Sequence, residues 1–301
     1  MYNDHFGLRR TPFKITPDTS LFYSGAERGS VLEALTYVIL SGEGITKVIG
    51  EVGTGKTMLC RMLEEKFPER VDTIYIANPG VSPENILNVL AFEARLLHQP
   101  KSKLEAMQAL HRWLLERHAA NRQVVVLIEE AQGMPLETLE EIRLLSNLET
   151  GQHKLLQIVL FGQPELDEKL SANSIRQLRE RITHNFYLSP LSRPQIREYL
   201  NFRMRIAGYH GPDLFDNKTT RLISRYSAGL IRRINILADK ILLAAYAAGT
   251  TRLTPALARK AAADCQFASV TNRGMHRFWL SASIGMTAGI CLASLIWWVN
   301  Q

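Results

Sequence analysis

The chain has 301 residues, 46% hydrophobic and 22% charged, which is ordinary for a globular protein and allows one large domain or two modest ones. Its net charge of +7 is compatible with nucleic acid or an anionic membrane surface as a partner, and equally with a plain solvated surface. Cys60, Cys265 and Cys291 form no CxxC pair, which argues against a structural metal site and favours a reducing compartment.

Helical and strand patterns alternate over the first 190 residues. The continuous apolar run at 124–128 is typical of a strand buried on both faces, and Pro83 stands where the first turn of a helix accepts proline. Helices are predicted over residues 26–41, 56–67, 83–97, 103–119 and 136–148, and strands over 46–49, 73–77, 124–128 and 155–161. This alternation predicts an α/β domain over residues 1–190, with a parallel sheet covered by helices.

After about residue 190 the strand patterns stop and the pattern is entirely helical. Four helices are predicted over residues 195–207, 218–227, 230–248 and 255–267, with glycines between them. They predict a compact all-helical domain over residues 191–268, followed by a polar linker over 269–276.

The C-terminal part of the chain contains an apolar segment. Residues 278–299 are 22 consecutive positions without a charge, about 33 Å as a helix, against a bilayer core of about 30 Å. Trp279 lies at one end of this segment, and Trp297 and Trp298 lie at the other, as in an aromatic belt. We expect a transmembrane helix over residues 277–299, the alternative being a buried core helix.

The orientation of this span follows from its flanking charges. Arg273 and Arg277 precede it and no positive charge follows it. Because positive charges favour the cytoplasmic side, the domains before the span are expected in the cytoplasm.

A phosphate-binding loop is predicted between a strand and a helix. Residues 50–57 match the pattern GxxxxGK[ST], whose glycines let backbone N–H groups face phosphate oxygens at a helix N-terminus. Lys56 is expected to reach the β- and γ-phosphates of ATP, and the Thr57 hydroxyl to ligate Mg²⁺. The residues predicted to bind the nucleotide are Gly50, Glu51, Val52, Gly53, Thr54, Gly55, Lys56, Thr57 and Met58.

An acidic pair follows the apolar run at 124–128. Glu129 is expected to hold Mg²⁺ through water together with Thr57, and Glu130 to polarise the attacking water. The usual pair is Asp-Glu, so the extra methylene at Glu129 predicts looser metal coordination and slower turnover. The alternative is a solvated acidic strand end.

Several short stretches then carry a family resemblance. They are Phe6-Gly7-Leu8, Pro12-Phe13, Pro17-Asp18, Ser41-Gly42-Glu43-Gly44, Glu130-Ala131-Gln132 and Gly162-Gln163-Pro164-Glu165-Leu166. Over residues 1–268 the chain resembles the AAA+ ATPases of the ExeA/GspA secretion-assembly family, and within it most of all those of mannose-sensitive haemagglutinin (MSHA) pilus biogenesis. The apolar tail fits, since many of these proteins carry a membrane span after the ATPase.

The resemblance assigns further roles. Gln163 occupies the sensor 1 position and would orient the lytic water beside Glu130, unless it is an ordinary loop glutamine. The segment Leu178-Arg179-Glu180-Arg181-Ile182 matches the family's LRxRI, in which one arginine would reach the γ-phosphate bound by a neighbouring subunit. Arg181 is preferred over Arg179; the alternative is a pair of surface arginines.

The sensor 2 position is assigned in the same way. Gly229-Leu230-Ile231-Arg232 stands where relatives often have Gly-x-Pro-Arg, so Arg232 is expected to point at the γ-phosphate, with Arg233 as the fallback. Ile231 replaces a proline that would fix the start of the helix, which predicts a looser turn.

The expected function is therefore that of a single-pass protein of the bacterial inner membrane with a cytoplasmic ATPase domain. It would use ATP and Mg²⁺, act as a homo-oligomer in a ring or dimer, and have other pilus or secretion assembly proteins as partners. Two alternatives are a DNA-acting ATPase of the transposition-helper kind and a nucleotide-binding scaffold with little hydrolysis. Nucleic acid is the less expected partner, because the membrane span has no use in a DNA-acting helper and no DNA-reading module is recognised.

Overall fold

The computed structural model of the protein describes residues 1–77, 80, 82–96 and 102–265. Its helices are α1 Tyr2–His5, α2 Arg28–Ser41, α3 Lys56–Lys66, α4 Pro83–Glu93, α5 Lys103–Ala119, α6 Leu136–Leu145, α7 Pro164–Leu170, α8 Arg176–Arg181, α9 Arg193–Ile206, α10 Asn217–Ser227, α11 Ile231–Ala247 and α12 Pro255–Asp264. Its strands are β1 Ile45–Gly50, β2 Val71–Ile76, β3 Gln123–Ile128, β4 Leu156–Gly162 and β5 Ile182–Leu188.

The five strands form one parallel sheet in the order β2-β3-β4-β1-β5. Side chains that alternate along each strand enter two separate apolar clusters, so that Val124 and Val126 face one cluster while Val125 and Leu127 face the other. Helices α2 and α3 cover one face of the sheet and α4 to α8 contribute to the other. The α/β fold with a parallel sheet predicted from the alternation is therefore confirmed.

The edge strand β5 was not predicted from the sequence. Along it Thr183, Asn185 and Tyr187 are exposed, while the residues between them are at least half-buried and pair with β1. A strand with one polar face lacks the continuous apolar run that marks the central strands. Its place beside β1 brings its carboxyl end next to the phosphate loop.

Helices α9 to α12 pack together as a helical lid, and the core of this lid also includes the N-terminal segment. Tyr2, Phe6, Leu8 and Phe13 pack in the same apolar cluster as the buried residues of α9 and α11. Among the described residues, the last β-strand ends at Leu188. The first residues of the chain thus lie against the lid, although the sequence grouped them with the α/β domain.

Two predictions for the C-terminal tail concern residues outside those that the structure describes. They are the linker over 269–276 and the transmembrane helix over 277–299. Among the residues that the structure describes, no helix combines the length and apolar character needed to cross a bilayer.

Candidate nucleotide site

The phosphate loop connects β1 to α3 and folds around the ammonium group of Lys56. Lys56 is only 7% exposed, and its Nζ donates to the carbonyl oxygens of Gly50 (2.7 Å) and Glu51 (3.2 Å). Burial lowers the pKa of Lys56, and the negative charges of Glu130 and Glu129 oppose that shift. The loop therefore holds a partly desolvated cation at the N-terminus of a helix, which is the arrangement that binds phosphate groups.

Next to this loop, Glu129 is buried and held from two sides. The Thr57 hydroxyl donates to its Oε2 at 2.6 Å, and the Tyr75 hydroxyl donates to its Oε1 at 3.0 Å. Burial and the negative charge of Glu129 raise the pKa of Tyr75. The same two causes, of which burial is the larger, raise the pKa of the Cys60 thiol. The pairing of a hydroxyl with a carboxylate is the ligand set that Mg²⁺ accepts, so Thr57 and Glu129 fit the ion that was predicted for them.

Glu130 directly follows Glu129 at the end of β3 and has an exposed side chain. Its backbone is in the left-handed region (φ 53°), which costs a non-glycine residue about 1–2 kcal/mol. Its Oε2 accepts hydrogen bonds from Gln163 Nε2 (3.0 Å) and Gln132 Nε2 (2.6 Å). Gln163, which directly precedes α7, thus contacts the side chain beside which the family resemblance placed it.

Arg232 reaches the site from the lid. Its backbone N–H donates to the carbonyl of Gly53 at 3.1 Å, and a Cβ atom at Gly53 would lie 2.9 Å from the Cβ of Arg232. Gly229 makes this approach possible: its φ is +79°, and a Cβ there would lie 2.4 Å from the Leu191 carbonyl oxygen. The helix still begins at Ile231, whose side chain lies against Gly55, so the missing proline does not prevent the turn.

A cavity of about 440 Å³ joins these elements. Its polar wall includes Lys56, Thr57, Glu130 and Arg232. Its remaining walls come from the phosphate loop, the lid and the N-terminal segment, and include Ile15, Leu21, Phe22, Tyr23, Met58, Tyr199 and Ile231. The cavity thus combines charged side chains that suit phosphate groups with apolar and aromatic ones, the usual composition of a small-ligand site.

Arg28 also lines this cavity and was not anticipated from the sequence. It is 6% exposed, and its Nη2 donates to the carbonyls of Thr54 (3.2 Å) and Ser189 (3.1 Å). Burial lowers the pKa of Arg28. A buried guanidinium with carbonyl partners adds positive charge behind the phosphate loop and ties that loop to the connection between the two domains.

The two arginines of the LRxRI segment lie on α8 and do not line the cavity. Arg181 is half-buried and its Nη1 is 3.3 Å from the Ser146 hydroxyl. Arg179 is exposed, and its guanidinium makes no hydrogen bond or ion pair with the described residues. The preference for Arg181 stays a prediction, and the structure adds that Arg179 is the arginine held by fewer contacts.

Residues 39–170 match the family model described as an AAA domain. General secretion pathway protein A of Aeromonas hydrophila is 36% identical over 299 residues, which are 99% of this chain and 54% of that protein. The chain therefore spans about half the length of this relative.

Solved structures share the fold at low identity. They include Cdc6p from Pyrobaculum aerophilum (TM-score 0.64, 18% identity, 81% of this chain and 70% of that one). The ORC1 protein of Aeropyrum pernix in complex with DNA is also similar (TM-score 0.61, 20% identity, 85% and 70%). The RuvB Holliday junction branch migration motor of Thermotoga maritima shares the fold as well (TM-score 0.54, 14% identity, 82% of this chain and 72% of that one). With the phosphate loop, Glu130 and the lid arginine lining one cavity, and with the match to general secretion pathway protein A, the chain belongs to the ExeA/GspA family of AAA+ ATPases.

Proposed function

We propose that the protein hydrolyses ATP with Mg²⁺ as an oligomer. The observation that carries this proposal is that Lys56, Thr57 and Glu130 line one cavity of about 440 Å³, while the Thr57 hydroxyl donates to the buried Glu129. A Mg²⁺ ion bound with ATP would neutralise the charge that develops on the phosphoryl oxygens.

Each side chain has a separate task in this proposal. Lys56 and the backbone N–H groups at the start of α3 bind phosphate oxygens, and Thr57 with Glu129 hold the metal ion. Glu130 accepts a hydrogen bond from the attacking water and takes its proton, and Arg232 adds positive charge from the lid. The bond that breaks joins the γ-phosphorus to its bridging oxygen, and the water oxygen forms the new bond to phosphorus.

The output we propose is support for the assembly of a type IV pilus of the MSHA kind or of a type II secretion apparatus. The similarity to general secretion pathway protein A supports the secretion alternative, and the motif resemblance supports the pilus alternative. We also propose that residues 277–299 anchor the chain in the bacterial inner membrane with the ATPase domain in the cytoplasm. The uncharged run over residues 278–299 supports the anchor, and Arg273 and Arg277 before that run support this orientation.

The enzymatic proposal is tested by phosphate release from the purified full chain in detergent or nanodiscs. We expect release that needs Mg²⁺, stops with a chelator, and rises more than linearly with protein concentration. ATP binding without measurable release at any concentration would contradict hydrolysis and favour the nucleotide-binding scaffold.

The cellular proposal is tested by crosslinking in membranes, followed by affinity capture of the full chain and of a variant that ends at residue 268. We expect the full chain in the inner-membrane fraction with pilus or secretion proteins, and the shortened chain in the soluble fraction. Equal membrane association of both chains would contradict the anchor, and recovery of DNA in place of assembly proteins would favour the DNA-acting helper.

A further inference from the structure

Gln132 lies between two residues of the proposed hydrolytic site and has no role in the account so far. It belongs to a 3-10 turn, Ala131–Gly133, that directly follows Glu130. Its Nε2 donates to Glu130 Oε2 at 2.6 Å, and its Oε1 accepts from the backbone N–H of Gln163 at 3.0 Å. One amide side chain therefore bridges the carboxylate at the end of β3 and the residue at the end of β4.

The turn that carries Gln132 is itself fixed to α7. Lys169 Nζ donates to the carbonyl oxygens of Gln132 (2.5 Å) and Met134 (2.9 Å). Gln163 at the start of α7 and Lys169 near its end thus hold the turn at two points. The position of Gln132 is determined by this helix and not only by its neighbours in sequence.

The two amides, of Gln132 and Gln163, donate to the same carboxylate oxygen of Glu130. Within the part of the chain that the structure describes, Glu130 Oε1 makes no hydrogen bond. A carboxylate held through one oxygen keeps its other oxygen in a fixed direction, where it can accept from water. The clamp also offsets the strained backbone at Glu130, whose φ is 53°.

We propose that Gln132 is a positioning residue that aims the free oxygen of Glu130 and couples it to the sensor 1 position. This inference rests on the proposed ATP hydrolysis, in which Glu130 takes the proton of the attacking water. Loss of Gln132 should lower kcat about tenfold or more, because a hydrogen bond to a charged group is lost, and should leave ATP affinity within about twofold.

Two variants of the full chain distinguish the effects of the two hydrogen bonds that the Gln132 side chain makes. Gln132→Leu removes both, whereas Gln132→Glu keeps an oxygen for the Gln163 N–H and loses the donor to Glu130. Gln177→Leu, at an exposed position on α8, is the matched control. ATP affinity, kcat and the hydrogen exchange rate of the Gln163 amide are measured for each.

We expect both Gln132 variants to lose kcat while binding ATP, and only Gln132→Leu to raise the exchange rate of the Gln163 amide, by about tenfold or more. Wild-type kcat in both variants overturns the positioning role. An unchanged Gln163 exchange rate in Gln132→Leu overturns the clamp itself. If the wild-type chain releases no phosphate, the proposed hydrolysis fails, and the exchange rates still decide whether the clamp exists.

Discussion

The candidate site has two halves that differ in how deeply their charged side chains are buried. The binding half comprises the phosphate loop at residues 50–58 with Glu129, and the hydrolytic half comprises Glu130, Gln163 and the arginines of α8. In the binding half Lys56 and Glu129 are 7% and 5% exposed and each has partners within the chain. In the hydrolytic half Glu130 and Arg179 are exposed, and the arginines lie outside the cavity.

We propose from this difference that one chain can bind a nucleotide by itself and that hydrolysis needs a group from a second chain. Desolvated charges interact more strongly than exposed ones, so a half that is open to water gains most from the approach of another surface. Variants of the two halves should therefore behave differently, and the predictions below run from the largest expected effect to the smallest.

Lys56→Ala should affect binding and hydrolysis together. It removes the buried cation, and we expect ATP affinity to fall by about 100-fold or more and phosphate release to disappear. Equilibrium binding of a fluorescent ATP analogue measures the loss. Lys66→Ala, at the exposed end of the same helix, is the control and should bind like the wild type. ATP binding by Lys56→Ala at the wild-type affinity would contradict the role assigned to the phosphate loop.

Substitution of the finger arginine should affect hydrolysis alone. Such a cation is worth roughly 10³-fold in related phosphoryl-transfer enzymes, so Arg181→Ala should lose about that factor in kcat and keep its ATP affinity. Arg179→Ala is the paired test, because Arg179 is the more exposed of the two, and Arg176→Ala on the same helix is the control. If Arg179→Ala is the more damaging change, Arg179 is the finger; if neither lowers kcat tenfold, α8 provides none.

Glu130→Gln should also separate the halves. The amide cannot take a proton from water, and we expect kcat to fall by about 10²–10⁴-fold while ATP stays bound. Single-turnover phosphate release and nucleotide binding measured on one preparation test this, with the exposed Glu137→Gln as the control. Hydrolysis at the wild-type rate would assign the base to another residue.

Glu129→Asp should have the smallest effect. The shorter carboxylate has the length that is usual for this position, and we expect kcat to stay within about threefold of the wild-type value or to rise. The Tyr75 hydroxyl loses its partner, so Tyr75→Phe in the same background should cost little more. Rates across a Mg²⁺ titration measure both variants. Collapse of activity in Glu129→Asp would mean that the site is built around the longer side chain.

The sequence predicted those parts of the molecule that depend on local pattern. Lys56, Thr57 and Glu129 follow from a loop motif and from an apolar strand that ends in acids, and the structure brings them together. Gln163, which was assigned from a family motif, donates a hydrogen bond to Glu130 in the structure, and its sensor 1 role stays a prediction.

The features that were not predicted depend on contacts between segments far apart in the sequence, or on strands that mix polar and apolar residues. The bond from the Gln163 N–H to Gln132 joins residues 31 positions apart, and nothing in either sequence neighbourhood requires it. Strand β5 was missed because one of its faces is polar. The buried Arg28 was missed because its partners are backbone carbonyls, which leave no pattern in the sequence.

The most direct test of the division between the halves is a mixing experiment with two inactive variants. Arg181→Ala and Glu130→Gln are combined at a fixed total concentration, and phosphate release is measured across the mixing ratio. If the arginine acts on a nucleotide bound by a neighbour, some interfaces pair an intact Glu130 with an intact Arg181, and activity should return with a maximum near equal amounts. Activity that stays at the level of the separate variants at every ratio, while the two chains associate, would contradict the account.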